Sequence, residues 1–325
     1  MAAPLEITFL KTHLNIPRRR GLNVRQRAIW WVAFACAVLA APLPGEAWGR
    51  RAHEMINAAA IRALPEPLRS YFLRDQFALA DGASEPDTLA RGNPAEERHH
   101  FIDADAYASF PFQRLQEQFV AEHLGPNAIE IRNGDVIWQI DRFTLRLSSD
   151  FREGRWERVV HDAIFAAHFA ADLTQPLHTV SNYDGQRTGQ RGIHRAFETG
   201  VVDFYADRRT LHPAPAAELH GLRAAIFSEF LKSYQAAPVI FAADREVQKR
   251  WQPGDSRYAP ALAGLLGPFT RNRLEDAACF VASLWYTAWR KAGSPDLQAL
   301  NETTTQDHRG GSRFGGVLFD RHPGI

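Results

Sequence analysis

Cysteine is scarce in this chain, which has two cysteines, Cys36 and Cys279, among 325 residues. Cys36 lies in an N-terminal segment that we expect to be removed. Cys279 would then be alone, in an apolar helical pattern where a buried, inert thiol is expected. A lone cysteine excludes an internal disulfide. An exported chain of this kind must take its stability from a large core, from bound metal, or from both.

Strand patterns and long apolar runs are also missing. No segment alternates clearly between polar and apolar side chains, and there is no repeat or low-complexity segment. The apolar run AIWWVAFACAVLAAPL, which begins at Ala28, is too short and interrupted for a comfortable membrane span. Because 45% of the residues are hydrophobic and 23% are charged, a globular core is expected. We predict an all-α fold with a single multi-helix domain.

The first 47 residues have the pattern of a secretory signal peptide. Five arginines between positions 18 and 27 precede the apolar run, and Gly45 and Ala47 supply the small residues of a cleavage site. We expect cleavage between Ala47 and Trp48, export to the periplasm or the medium, and no transmembrane segment in the mature chain. A retained N-terminal anchor is the alternative. The predicted organisation is a signal peptide over 1–47, a single functional domain over 48–300 and a loose tail over 301–325.

Neither sign of charge is in large excess. The whole chain carries a formal charge of +1, and residues 1–47 contain six Lys or Arg and two acidic residues. The mature chain would therefore have 32 basic and 35 acidic residues, a formal charge of −3. The mature chain therefore lacks the excess of basic residues that is typical of proteins that bind nucleic acid tightly.

Apolar residues at helical spacing predict the helices of the domain. We expect a helix after His53 that ends at Pro65, a short helix over 68–79, a loop over 81–98 and a helix over 112–123. Clear periodicity predicts helices over 135–148 and 156–173. Further patterns predict helices over 216–241 and 243–251 and a long amphipathic helix over 271–292.

The stretch over 160–198 contains five potential metal ligands. His168 and Asp172 are four residues apart, so both side chains point to one spot on a helix. Pro176 ends this helix, and His178 follows just beyond it. Imidazoles and carboxylates without thiolates suit zinc, and closely spaced ions suit hydrolysis of phosphate esters.

A second pair, His194 and Glu198, has the same spacing after a Gly-rich polar loop. One such pair alone is more often a hydrogen-bonded structural feature or a solvated helix face than a metal site. Here Phe165, Phe169 and Leu173 surround the first pair, which indicates burial. Buried imidazoles and carboxylates need partners, and metal ions would provide them.

These segments resemble the zinc-dependent phospholipase C and single-strand-specific (type I) nuclease superfamily. The similar segments are HFAADLTQPLH at 168–178, GIHRAFE at 192–198 and the closing helix RLEDAACFVASLWYTAW at 273–289. The resemblance covers nearly the whole mature chain. It implies an all-helical enzyme that holds three zinc ions in one cleft.

The resemblance also implies nine ligand residues in three sets: Trp48, His53 and Asp172 for the first zinc; Asp87, His100, His168 and the bridging Asp172 for the second; and His178, His194 and Glu198 for the third. Trp48 would bind through its α-amine and carbonyl, so cleavage after Ala47 becomes a requirement for activity. Asp81 is an alternative to Asp87, and His99 is an alternative to His100. Two residues near the cleft are expected to contact substrate, namely Asn182 and Tyr183.

The resemblance implies a mechanism in which a metal-activated hydroxide attacks phosphorus in line. Asp172 would be shared by two zinc ions, and Asp87 would also accept a proton. The third zinc would stabilise the leaving alkoxide. On this basis Asp87 and Asp172 are the expected catalytic residues.

The metal ligands do not decide which phosphodiester is cut. GASEPD, which contains Asp87, and the glutamate at position 198 are similar to the bacterial phospholipases, whereas the short spacing from Trp48 to His53 is similar to the nucleases. We expect phospholipase C-type hydrolysis, with a single-strand-specific nuclease or 3′-nucleotidase as the alternative. The partner would be a phospholipid or a single-stranded nucleic acid, and no protein partner is expected. A helical exported protein with structural zinc only is a further alternative, but structural sites are closed.

Overall fold

A computed structural model describes residues 48–107, 109–127, 131–206 and 210–297 of the protein. All regular elements in these ranges are helical, which confirms the predicted all-α class. The signal peptide and the tail lie outside the described residues, so the domain boundaries remain predictions. None of the described helices is both long and apolar enough to cross a membrane.

The described α-helices, in chain order, are α1 (Arg50–Ala63), α2 (Leu68–Arg74), α3 (Gln76–Asp81), α4 (Glu85–Ala90), α5 (Pro94–Glu97), α6 (Gln113–Gln116), α7 (Val136–Glu153), α8 (Trp156–Thr174), α9 (Ile193–Arg195), α10 (Val202–Ala206), α11 (Leu222–Gln248) and α12 (Tyr258–Lys291). Tighter 3₁₀ turns occupy Gly82–Ser84, Arg98–His100, Ala104–Ala106 and Pro176–Thr179. Wider π turns occupy Glu117–Ala121 and Ala196–Val201.

Helix α8 lies at the centre of the core, packed against α7 and α12. Its bounds confirm the helix predicted over 156–173, and all side chains from Asp162 to Thr174 are buried. Such a helix has no solvated face, as expected for one enclosed by other helices. Trp285 of α12 donates its indole N–H to the carbonyl oxygen of Ala163 over 3.0 Å, and its ring stacks on Phe72 with 4.8 Å between centroids.

The prediction of a loop over 81–98 is wrong, because this segment folds into short helical turns that include α4 and α5. Pro86 and Pro94 stand in the first turns of these helices, where a proline has no helical hydrogen bond to remove. The helix predicted over 68–79 is interrupted at Asp75, between α2 and α3. The helix predicted over 112–123 exists in part, as α6 followed by a π turn.

The two helices predicted over 216–241 and 243–251 are in fact one, α11, which begins six residues later than expected, at Leu222. The segment before α11 is hydrogen-bonded to residues of α1 and α12. The backbone N–H groups of residues 216, 217 and 219 donate to Ala63 O, Ser283 Oγ and Thr287 Oγ1 at 2.9, 3.1 and 2.8 Å. These distant partners compete with helix formation, and apolar periodicity cannot reveal them.

The last helix begins at Tyr258 rather than at residue 271, and it continues through Pro268. A proline inside a helix removes one backbone hydrogen bond. Here Leu262, Leu266 and Thr270 are buried on the added turns, and their packing outweighs that loss. On the same helix, Cys279 is only partly buried, so the fully buried thiol that we expected is wrong.

Candidate metal centre

The two predicted ligands of α8, His168 and Asp172, are both buried and face each other. His168 Nε2 lies 3.3 Å from Asp172 Oδ2. On the other side of the ring, His168 Nδ1 lies 2.8 Å from the carbonyl oxygen of Ala83, which only an N–H can approach so closely. This bond places a proton on Nδ1, so Nε2 is the ring nitrogen that faces the carboxylate.

Asp87 and His100 join this pair from two other segments. His100 Nδ1 lies 2.9 Å from Asp172 Oδ2 and 3.0 Å from His168 Nε2. Asp87 Oδ1, on α4, lies 3.4 Å from His168 Nε2 and 3.6 Å from His100 Nδ1. Four side chains from α4, α8 and the turn Arg98–His100 therefore converge on one point.

A glycine allows the segment after His100 to pack closely. Gly134 has φ +86°, and a Cβ at this position would lie 2.1 Å from the carbonyl oxygen of Phe101. Ile102 N donates to the carbonyl oxygen of His178 over 2.9 Å. The segment is therefore fixed to both α7 and the turn Pro176–Thr179.

The alternative ligands weighed from the sequence lie outside this cluster. Asp81 is exposed at the end of α3. His99 Nδ1 pairs instead with Asp135 Oδ1 at 2.6 Å and with Gln139 Nε2 at 3.1 Å. The geometry favours Asp87 and His100 as ligands, and their ligand role remains a prediction.

His53 of α1 approaches the other oxygen of the shared carboxylate. Its Nε2 lies 3.4 Å from Asp172 Oδ1, and its ring stacks on His168 with centroids 4.2 Å apart. Asp172 therefore has one oxygen towards His53 and the other towards His100 and His168. This is the arrangement that a carboxylate bridging two ions requires.

Trp48 lies beside the turn that carries Glu198. Its side chain is fully buried, and its ring centroid is 5.4 Å from that of Phe197. A Cβ on Gly49 would lie 2.8 Å from Thr199 Oγ1 and 3.7 Å from the carbonyl oxygen of Glu198. The backbone at residues 48–49 thus lies close to the turn that carries Glu198, in a space that a side chain at position 49 would crowd.

His178, His194 and Glu198 form another group. His194 Nε2 lies 2.8 Å from Glu198 Oε2 and 3.0 Å from His178 Nε2, and His178 Nε2 lies 3.9 Å from Glu198 Oε2. His178 Nδ1 donates to the carbonyl oxygen of His100 over 2.6 Å, which leaves Nε2 as the inward lone pair. The helical spacing predicted for His194 and Glu198 is confirmed, across α9 and the π turn.

The residues fit zinc because the possible ligand atoms of each group lie close together, and several of these polar atoms make no hydrogen bond. Three groups, His53/His168/Asp172, Asp87/His100/His168 and His178/His194/Glu198, each have ligand atoms within 4.8 Å of one another. Ligands of one tetrahedral zinc are about 3.3 Å apart, given bonds of about 2 Å. Within the described residues, five buried atoms of these groups make no hydrogen bond: His53 Nε2, Asp87 Oδ2, Asp172 Oδ1, His194 Nδ1 and Glu198 Oε2. Glu198 Oε2 is close to His194 Nε2 but without the geometry of a hydrogen bond. Buried polar atoms rarely lack a hydrogen bond, so these groups could each hold a cation.

The electrostatics of the groups also favour a cation. Burial opposes charge on Asp172, but His168 and the bonds from His100 hold the pKa of Asp172 well below its usual range. Burial likewise opposes charge on Glu198, whose pKa is lowered because His194 and His178 outweigh it. Burial, aided by His168, lowers the pKa of His53 and keeps its ring neutral. Burial opposes charge on His168 and His178 too, but Asp172 and Asp87 raise the pKa of His168, and Glu198 and Asp172 raise the pKa of His178. The carboxylates therefore attract positive charge to both groups, and a metal ion would compete with protons for these rings.

A hydrogen-bond network that the sequence did not reveal positions the loop before His194. Asp184 Oδ1 accepts the backbone N–H groups of Gly192 and His194 at 2.9 and 3.3 Å. Gln190 Nε2 donates to the carbonyl oxygen of Phe241 at 2.8 Å and to Asp244 Oδ2 at 2.6 Å. The Asp244 carboxylate is buried and also accepts the hydroxyl of Tyr258. These partners come from α11 and α12, so no local motif signals them.

Asn182 and Tyr183, the predicted substrate contacts, differ in their surroundings. The Tyr183 ring is 49% exposed and lies 5.5 Å from the His194 ring, measured between centroids. Asn182 is engaged inside its own loop, where Oδ1 accepts the N–H of Arg187 at 2.7 Å and Nδ2 donates to Thr188 Oγ1 at 3.1 Å. Tyr183 is therefore the more available of the two.

Comparison with solved structures gives distant likenesses of fold. No protein-family model and no curated protein matches the chain. Among solved structures, it is similar to alpha-toxin of Clostridium perfringens, isolated from avian strain SWCP, with 12% identity over 75% of this chain and a TM-score of 0.42. The match spans 65% of the toxin chain, less than two thirds of its length.

Proposed function

We propose that the protein is a zinc-dependent phosphodiester hydrolase of the phospholipase C type. The observation that carries this proposal is the set of three largely buried groups, two of which share His168, in which several buried polar atoms make no hydrogen bond. Zinc ions bound there would supply Lewis acidity and an activated water for attack on phosphorus. The proposed ligands are those that the resemblance implies: Trp48, His53, Asp87, His100, His168, Asp172, His178, His194 and Glu198.

Asp172 and Asp87 have different roles in this proposal. Asp172 bridges two sites, since its oxygens face His53 on one side and His100 on the other. Asp87 directs Oδ1 towards His168 and leaves Oδ2 without a hydrogen-bond partner in the described structure. That free oxygen is the base we assign to accept a proton from the attacking water.

Export is part of the same proposal. The α-amine of Trp48 becomes a metal ligand only when cleavage after Ala47 frees it, because a peptide nitrogen is not a comparable donor. The close approach of Gly49 to the turn of Glu198 supports this role for Trp48. We therefore infer that the active form is the processed chain, in the periplasm or outside the cell.

One observation favours a second function, and another argues against a purely structural role for zinc. The half-exposed ring of Tyr183 beside His194 offers a stacking surface for a base, which favours a single-strand-specific nuclease or 3′-nucleotidase. Structural zinc alone would need closed sites. The side chains of His100 and His194 each remain 10% exposed, which supports access of water and substrate.

A paired assay tests the proposal. Mature protein that begins at Trp48 is loaded with zinc and offered phosphatidylcholine vesicles or single-stranded DNA, each with and without chelator. We expect release of phosphocholine that chelator abolishes. Cutting of DNA alone would assign the protein to the nuclease alternative, and zinc binding without either activity would favour structural zinc.

A further inference from the structure

An open apolar groove lies between helix α11 and the chain that leaves the metal centre. Its volume is about 480 Å³. One wall is a face of α11, with Tyr234, Ala237 and Phe241 at helical spacing. The opposite wall includes Val180, and the ring of Phe110 covers one side. A space of this size accommodates part of a small ligand.

The groove lies beside the segment that leaves the candidate metal centre. Val180 is two residues beyond His178, so the groove wall begins within about 7 Å of chain from a proposed ligand. The far wall is attached to the loop that leads to His194, because Gln190 Nε2 donates to the carbonyl oxygen of Phe241 over 2.8 Å. The groove and the metal centre therefore share the segment from His178 to Val180, which places the groove wall within the length of a substrate chain from the proposed ligands.

The chemistry of the lining favours an aliphatic chain over a nucleobase. Among the described residues, no charged side chain lines the groove, and Gln235 and Tyr234 supply its only polar side chains. Surfaces that bind single-stranded nucleic acid combine stacking rings with cationic side chains along the phosphates. The Phe110 and Tyr234 rings lie nearly parallel, 6.2 Å apart between centroids, and present apolar surface without such cations.

We propose that this groove binds the acyl chain of the phospholipid substrate and so makes cleavage depend on chain length. This inference rests on the phospholipase C-type function proposed above. Each methylene group that leaves water for an apolar groove improves binding up to about fourfold. Specificity would then reside in Tyr234, Phe241 and Phe110, while the metal centre handles the phosphate.

The test blocks the groove from its solvent side. Gln235 is exposed and lines the groove, so Gln235→Trp fills the space without disturbing the core. Leu265→Trp is the matched control, because Leu265 is 53% exposed on α12 and does not line the groove. Rates are measured with zinc-loaded protein on monomeric phosphatidylcholines with chains of four to eight carbons, and on glycerophosphocholine, which has no acyl chain.

The expected result is a kcat/KM that rises with chain length in the parent protein and in Leu265→Trp. In Gln235→Trp we expect a loss of at least about tenfold for the longer chains, equal to about two buried methylene groups, and less than about twofold for glycerophosphocholine. Equal loss on both substrates, or an unchanged dependence on chain length, would overturn the groove assignment. If Gln235→Trp loses DNA cutting but keeps lipid cleavage, the groove binds a nucleobase and not an acyl chain.

A binding measurement separates this proposal from the proposed function. Short-chain diacylglycerol contains the chains without the phosphate, so its affinity for the zinc-loaded protein, measured by calorimetry, reports on the groove alone. If the protein cleaves no phospholipid but binds dihexanoylglycerol at least about tenfold more weakly in Gln235→Trp, the groove stands and the proposed function fails. If lipid is cleaved and this affinity is the same in both proteins, the groove assignment fails and the proposed function stands.

Discussion

His178 Nδ1 donates to the backbone carbonyl oxygen of His100 over 2.6 Å, so two histidines assigned to different zinc ions are joined through one hydrogen bond. Because the acceptor is backbone, replacement of the His100 side chain leaves this bond in place. We expect His100→Ala to lose about one zinc ion per chain and to keep the ion at His178, His194 and Glu198. Elemental analysis of the purified variant measures this directly.

His99 provides the matched control for that variant. It is the neighbouring histidine, and it binds Asp135 and Gln139 rather than the cluster. His99→Ala should keep its full zinc content and lose about 1–3 kcal/mol of stability, because Asp135 is left buried without this partner. Equal zinc loss in the two variants would contradict the assignment of His100.

Asp172 is expected to be the most sensitive single position. Its two oxygens face different histidines, so Asp172→Ala should empty two sites at once. Loss of one major electrostatic stabiliser costs on the order of 100- to 1000-fold in rate, and we expect a larger loss here. Zinc content and kcat/KM are measured on the same preparation. A variant that keeps nearly normal values of both would disprove the bridging role.

Gly49 tests the placement of Trp48. A Cβ at position 49 would lie 2.8 Å from Thr199 Oγ1, so Gly49→Ala should displace the N-terminus and weaken the zinc site at Trp48. Crowding of this kind costs about 1–3 kcal/mol. The double variant Gly49→Ala/Thr199→Ala removes the clashing hydroxyl and should recover most of the zinc affinity. If the double variant does not recover zinc affinity, the contact with Thr199 is not the reason that position 49 needs glycine.

Asp103 gives a prediction of pH dependence. Burial, with a further contribution from the Asp105 carboxylate, raises the pKa of Asp103 to about 6. An acid whose pKa is raised on folding contributes stability at low pH that is lost as the pH rises through the folded-state value. Asp103→Asn should therefore gain about 1–2 kcal/mol relative to the parent between pH 4.5 and 7.5, after allowance for solvent screening.

The measurement for Asp103 is urea unfolding of parent and variant at both pH values. Terms common to the two proteins cancel in the difference. Asp105→Asn is the companion variant, and it should show part of the same gain because it removes the neighbouring charge. A stability difference that does not change with pH would contradict the raised pKa.

Much of the site could be predicted from the sequence because its strongest signals are local. The pair His168 and Asp172 needs only helical spacing and apolar neighbours, and Pro176 marks the helix end. The choice of Asp87 over Asp81 depended on resemblance, since both lie in a segment that was expected to be a loop. Its helical turns follow from prolines placed at first turns, a weaker signal than periodicity.

The parts that could not be predicted depend on contacts between distant residues. The segment before α11 bonds to Ser283 and Thr287 instead of forming helix. The Gln190–Asp244 bond and the apolar groove likewise bring together segments far apart in the chain. Apolar periodicity reports which face of a helix is buried, but it does not say which segment covers that face.

The zinc content of the protein tests the proposed metal centre most directly. The protein processed to begin at Trp48 is purified with zinc, analysed for metal, treated with chelator and followed by thermal unfolding. With three groups of buried ligands, we predict about three zinc ions per chain and a clear fall in unfolding temperature on their removal, because the buried carboxylates lose their cations. Less than one zinc ion per chain, with an unfolding temperature that chelator does not change, would contradict the assignment of the three groups as zinc sites.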